Sequence, residues 1–179
     1  MTSNFIQTEK NLREQNELSL ENLLDEFHLI SSAQKRIALI GTQNISITHQ
    51  QIVEIIAFKL AEDRNTVITS GGLGGVNLAA IKGAIKANPK YLEIVLPTTL
   101  KKQPKEFREI VEKSKEIELV EYPERKDLDY SKACEVCYKD IVESAHQLIC
   151  FLYKESRTLQ KAIEHANLHR KILTDFYLD

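Results

Sequence analysis

From residue 35 onward the apolar positions alternate between two patterns. Short apolar-rich runs, RIALIG, TVITS, YLEIVLP, IELVEYP, HQLICFLY and KILTDFY, are each too brief for a helix and bounded by turn residues or charges. Between them lie longer stretches whose apolar residues recur three and four apart. In ITHQQIVEIIAFKLAE this spacing predicts a helix with Ile52, Ile55, Ile56 and Leu60 inward and a capping box at Thr48 and Gln51. VNLAAIKGAIKA predicts a helix whose small face, Ala80, Gly83, Ala84 and Ala87, lies close on a sheet, and Pro104 is expected in the first turn of the helix in QPKEFREIVEKSKE. DYSKACEVCYKDIVESA and SRTLQKAIEHANLHR supply two more helices. Six strands alternating with helices predict a Rossmann-like, three-layer α/β/α fold on a mainly parallel sheet. Upstream, Leu20, Leu23, Leu24, Phe27 and Ile30 predict a separate amphipathic helix capped by Ser19. The expected organisation is an N-terminal helical appendage, residues 1–33, and a single domain, residues 34–179.

A parallel sheet directs attention to the loops that follow its strands, because ligands of open α/β sheets bind beyond the strands' carboxyl ends. Those loops contain Gly41, Thr42 and Gln43 after the first strand, and Ser70, Gly71, Gly72, Gly74 and Gly75 after the second, with Asn77 just inside the helix. Lys101 follows the third strand, and Ser156, Arg157 and Thr158 follow the fifth. Glycine lets backbone amides approach a phosphate, and a helix start offers unpaired N–H groups and the positive end of its dipole. A lone GGLGG is as readily a tight turn, but four such loops at one edge favour a site for a phosphate-bearing ligand. The first loop, GTQNIS, lacks the dinucleotide fingerprint G-x-G-x-x-G, and no Gly-Lys-Ser/Thr ending marks a P-loop.

Charge refines this picture only locally. The net charge of -2 does not advertise nucleic acid, yet residues 82–108 carry seven bases against two acids. No apolar run is long enough to span a bilayer, and the first ten residues, MTSNFIQTEK, have neither the basic nor the apolar part of an export signal. With three cysteines, an odd number, the expected setting is the reducing cytoplasm. Cys134 and Cys137 form a C-x-x-C within a predicted helix rather than at a helix start, so they read as core thiols. His165 and His169 face one way on another helix, but a strand separates them from the cysteines, and no metal is expected. His49 and Tyr153 lie at the ligand edge, and Tyr138 and Tyr122 are further aromatic candidates for stacking on a base.

The segments RIALIGTQ, VITSGGLGGVNLAAIKGA and IVESAHQLICFLYKESRTLQKAIEHANLHRKILTDFY, taken in this order, resemble the core of the DNA-processing protein A (DprA/Smf) family. The resemblance covers residues 35–177 and extends to the wider SLOG superfamily of nucleotide-ligand binders. It implies single-stranded DNA binding in DNA uptake and recombination, handover to a recombinase, and no bond chemistry. Its implied phosphate pocket comprises Gly41, Thr42, Gln43, Ser70, Gly71, Gly72, Gly74, Gly75, Asn77, Ser156, Arg157 and Thr158. Where the family carries an arginine after the first strand this chain has Gln43, which keeps open a second reading, a sensor or carrier of a small nucleotide or other phosphate ligand. The cytokinin-activating LOG enzymes of the same superfamily need Pro-Gly-Gly-x-Gly-Thr-x-x-Glu after the fifth strand. Here that place reads YKESRTLQKA, with Gln160 or Lys161 where the acid belongs, so no catalytic residue and no cofactor are expected. A homo-oligomer is expected.

Overall fold

In the computed structural model, which describes residues 33–178 except 73, 154 and 155, the six apolar runs are six strands. They are β1 (Arg36–Gly41), β2 (Thr66–Ser70), β3 (Leu92–Val95), β4 (Glu118–Val120), β5 (Gln147–Leu152) and β6 (Ile172–Tyr177). The helices between them are α1 (Ile47–Glu62), α2 (Gly75–Ala87), α3 (Lys105–Lys113), α4 (Tyr130–Ser144) and α5 (Arg157–Leu168). The N-terminal helix expected around residues 19–30 lies outside the described residues.

Every strand pairing is parallel, and the order across the sheet is β4-β3-β2-β1-β5-β6. The chain therefore builds outward from β1 to β4, then returns to the other side of β1 to add β5 and β6. The junction of β1 with β5, where Gly41 stands opposite Phe151, is the point at which the winding reverses.

Strand alternation divides the core into two layers. Leu39, Val67, Ile94 and Phe151 face one side with α1, α2 and α3. Ala38, Ile40, Ile68, Val95 and Cys150 face the other with α4 and α5. This is the three-layer α/β/α arrangement that the sequence pattern predicts, with an entirely parallel sheet.

Three local expectations are corrected. The inward face of α1 is Val53, Ala57 and Ala61, whereas Ile52 and Ile55 are 45% and 67% exposed; Ile56 and Leu60 are only partly buried. The cause lies in α2. A Cβ on Gly83 would stand 2.1 Å from the Glu54 carbonyl oxygen and 3.0 Å from the Ala57 Cβ, so part of the small face of α2 meets α1 rather than the sheet. Helices this close admit only small residues between them, and the large aliphatics turn outward. The cap of α1 is Ser46, whose Oγ accepts the His49 amide at 3.1 Å; Thr48 and Gln51 already lie within the helix. Pro104 holds the cap position immediately before α3, not its first turn.

Candidate functional site

Because all strands are parallel, the loops named from the sequence share one edge of the sheet. At that edge a groove of about 490 Å³ opens over the β1–β5 junction. It is lined by the loop after β1 and the start of α1 (Gln43 to Ser46, His49, Gln50), the start of α2 (Gly74, Gly75, Leu78), and Tyr153 at the end of β5.

The glycines of the second loop have different tasks. Gly75 has φ +61°, and a Cβ there would meet the Thr42 and Gln43 carbonyl oxygens at 2.2 and 2.3 Å. Gly71 is hemmed in by Leu96, Gln103 and Phe107. Both are glycine because the loop after β2 packs against its neighbours. Gly72 is glycine for its backbone alone, with φ +145° and nothing within 4 Å of an added Cβ. Gly74 has an extended backbone, φ -158°, and room for a side chain, whose nearest neighbour would be the Gln43 carbonyl at 3.5 Å. It caps α2 without contributing any side-chain hydrogen bond. The first turn of α2 thus faces the groove behind a residue that shields nothing.

Other candidates hold the edge together. The Thr42 Oγ1 accepts the Tyr153 amide at 2.9 Å, which locks the β1 loop to the end of β5. Gly41 is pressed against Phe151 and Val76. Asn77 is buried, its Oδ1 accepting from the Gly41 amide and its Nδ2 donating to the Tyr138 hydroxyl. Burial raises the pKa of that phenol, so Tyr138 is a neutral internal partner. Ser70 is buried with its Oγ 3.5 Å from the Cys137 Sγ, and that thiol donates to the Val95 carbonyl. Burial pushes the pKa values of Cys137 and Cys150 up to about 12, in keeping with core thiols; Cys134 is only half buried.

Of the residues named from sequence, Gln43, Gly74 and Gly75 line the groove, together with His49 and Tyr153. Ser156 caps α5, its Oγ accepting the Leu159 amide, and Arg157 and Thr158 begin that helix at the same edge. Lys101 lies in a short 3-10 turn after β3. Lys101, Ser156, Arg157 and Thr158 stand at the edge without lining the groove, as does Gly72. Tyr122 instead lies beneath the Arg125 guanidinium, 3.6 Å from its ring centre. Asn44, Ile45, Ser46, Gln50 and Leu78 line the groove but were not singled out from sequence. The available signal was Ser46 as the cap of α1, which places the whole 43–50 segment at a strand-to-helix turn. No helix among the described residues is long and apolar enough to cross a membrane.

With this geometry in view, comparisons with known proteins are informative. The family model of DNA recombination-mediator protein A matches residues 28–135. DNA processing protein A from Helicobacter pylori, described for its single-stranded DNA binding mode, superposes with a TM-score of 0.65 at 16% identity. The alignment covers 79% of this chain and 64% of that one, so this chain spans less than two thirds of the H. pylori protein's length. The molybdenum cofactor binding protein of Rippkaea orientalis gives 0.61 at 17% identity, over 82% of this chain and 78% of that one. The molybdenum cofactor carrier protein of Chlamydomonas reinhardtii gives 0.57 at 14%, over 80% and 76%. At such identities these structures share the fold and no more. No curated protein matches the sequence. The family match, by contrast, runs through β1, the glycine loop, α2 and β3 into the first turns of α4, and by it the chain belongs to the DNA recombination-mediator protein A family.

Proposed function

We propose that this chain binds single-stranded DNA in DNA processing, seating a backbone phosphate at the start of α2. The observation that carries this reading is the groove at the β1–β5 junction, which the start of α2 lines through Gly74, a cap without a side chain, and Gly75. Family membership supports it, as does the single-stranded DNA binding of the H. pylori structure. Tyr153 offers a ring in the groove on which a base stacks, and Arg157 and Lys101 extend the phosphate track along the edge. The backbone loops Gly41–Gln43 and Ser70–Gly75 frame the site, and Ser156 and Thr158 add the start of α5. Handover to a recombinase and self-association belong to the same proposal, the latter checked by sedimentation.

The test is fluorescence anisotropy with a labelled oligo(dT) over a salt series. Saturable binding whose affinity falls steeply with salt, and whose salt slope shrinks in Arg157→Ala, is the expected result. A lack of oligonucleotide binding at low salt refutes it.

One observation favours a second reading. No lysine or arginine is among the described residues lining the groove, and its volume suits a single small ligand. A nucleotide or phosphate-ligand carrier fits that lining, and the two molybdenum cofactor proteins share the fold. Thermal stabilisation by mononucleotides without oligonucleotide binding selects this alternative.

A further inference from the structure

We infer that Glu143, His165 and His169 form a binding site for a divalent transition-metal ion of the zinc class, at the sheet edge opposite the groove. Each contributes one ligand atom, and these atoms lie within 4.8 Å of one another. The His165 Nε2 is 2.9 Å from the Glu143 Oε1, and the two imidazole centres are 4.3 Å apart with their planes tilted by 50°.

The fold explains how they meet. His165 and His169 are one turn apart on α5, and the His169 amide, at the helix cap, donates to the His165 carbonyl at 3.1 Å. Glu143 is the penultimate residue of α4, which packs beside α5. Both helices end just before a strand begins, so their C-terminal ends, the negative poles of their dipoles, converge here. Lys139 and Lys161 line a pocket with His165 and pair with Glu135, and a further nearby cation is Lys171. Its Nζ is engaged by the Glu143 and Ala145 carbonyls at 2.9 and 2.7 Å, which leaves the Glu143 carboxylate to the imidazoles.

Helix spacing sets His169 beside His165, and the hydrogen bond to His165 brings Glu143 to the same place. The three ligand atoms are thereby gathered within reach of one ion. Two imidazole nitrogens and one carboxylate are a zinc donor set, with water completing the tetrahedron, whereas calcium and magnesium prefer oxygen alone. Ligands around zinc stand about 3.3 Å apart. His165, with a side chain only 15% exposed, is the fixed point, and the exposed Glu143 and His169 side chains shift by up to about 1.5 Å to close the set. The C-x-x-C cysteines take no part: Cys137 is held by Val95 and Ser70 on the core side of α4. An ion here ties α4 to α5 and acts on stability, apart from any ligand in the groove.

The experiment uses the full chain without an affinity tag, stripped by chelator and titrated with ZnCl2 by calorimetry, with Co2+ as a spectroscopic substitute. One ion per chain is expected, with the visible absorption of four-coordinate Co2+ and a zinc-dependent rise in melting temperature. His169→Ala and Glu143→Gln, both at exposed positions, each weaken zinc affinity by about tenfold or more and remove that rise. His49→Ala and His146→Ala leave both unchanged. No saturable zinc binding at micromolar concentrations, or binding unaltered by His169→Ala, overturns the inference.

Discussion

Replacing Gly74 with aspartate separates the candidate site from the fold, because the two effects have opposite signs. Position 74 has an extended backbone and space for a Cβ, so neither strain nor overlap follows. Aspartate is a strong N-cap, and the cap now contributes no side-chain bond. The Val76 amide is already held by the Thr42 carbonyl at 3.1 Å, so the new carboxylate takes the Asn77 amide. Together with the dipole this raises stability by about 0.5 kcal/mol, or roughly 1–2 °C in melting temperature. The same carboxylate occupies the place proposed for a phosphate. At a separation of about 5 Å the repulsion is about 0.8 kcal/mol in a fully aqueous field and about 3 kcal/mol at an effective dielectric of 20. Affinity falls roughly fourfold to a few hundredfold. Gly74→Ala is the control: it lowers stability by about 1 kcal/mol through a poorer cap and leaves binding intact. The assay is anisotropy with oligo(dT) at low salt, alongside thermal unfolding followed by circular dichroism. If the aspartate variant binds within twofold of the parent while melting no lower, the phosphate is not at α2 and the reasoning fails. Gly75→Ala is unsuitable for this purpose, since φ +61° and a 2.2 Å approach to the Thr42 carbonyl make it a folding defect.

Four further outcomes are expected. Gly83→Ala, which in an open helix gains up to about 1 kcal/mol, here drives a Cβ into the Glu54 carbonyl and lowers stability by about 1–3 kcal/mol in a urea titration; an unchanged or higher midpoint contradicts the close α1–α2 contact. Arg36 pairs with the buried Glu93 carboxylate at 2.6 Å, and Arg36→Ala leaves that charge unmatched at a cost of about 2–4 kcal/mol, whereas a loss under 0.5 kcal/mol in the same titration contradicts the pairing. Thiol reagents at pH 8 reach Cys134 slowly and leave Cys137 and Cys150 unmodified until denaturant is added; three rapid equivalents in the folded protein contradict their burial. Lys161 and then Lys132 hold the Glu135 carboxyl at about 2 instead of the usual 4.5, so its contribution to stability is present above pH about 4.5 and is lost as pH falls toward 2; carboxyl NMR shows the value climbing back in Lys161→Ala, and an ordinary value in the parent refutes the pairing.

The strands were legible because a strand covered on both faces must be continuously apolar, and RIALIG and QLICFL obey this after their opening Arg36 and Gln147. The orientation of α1 was not, because periodicity weighs residues by apolar size. What turned the helix was the absence of a side chain at Gly83, far along the sequence, which brings two helix backbones together and reserves their seam for Val53, Ala57 and Ala61. The edge at which the groove lies followed from sequence, since parallel strands send every loop after a strand to one edge. The division of labour within it did not. Ser70, Thr42 and Asn77 have the hydroxyls and amide that a phosphate site would use, yet their partners are Cys137, Tyr153, Gly41 and Tyr138, set by pairings that span up to 111 residues. A composition of small polar residues is the same whether they face a ligand or one another.

The long reach of the β1–β5 pairing has a consequence for how the protein is made. Gly41 and Phe151 come together only after all the intervening chain exists, and Tyr153 follows directly. During synthesis, β1 through β4 and their three covering helices can assemble first, giving a half-sheet that already carries the groove-lining residues of the β1 loop, α1 and α2 but lacks Tyr153. Closing so long a loop is a late event whose entropic cost grows only slowly with length. Pairing of β5 with β1 therefore adds the last wall, the Tyr153 ring, to a groove whose other lining is already made. A chain ending before β5 keeps the start of α2 and is without the aromatic side of the groove.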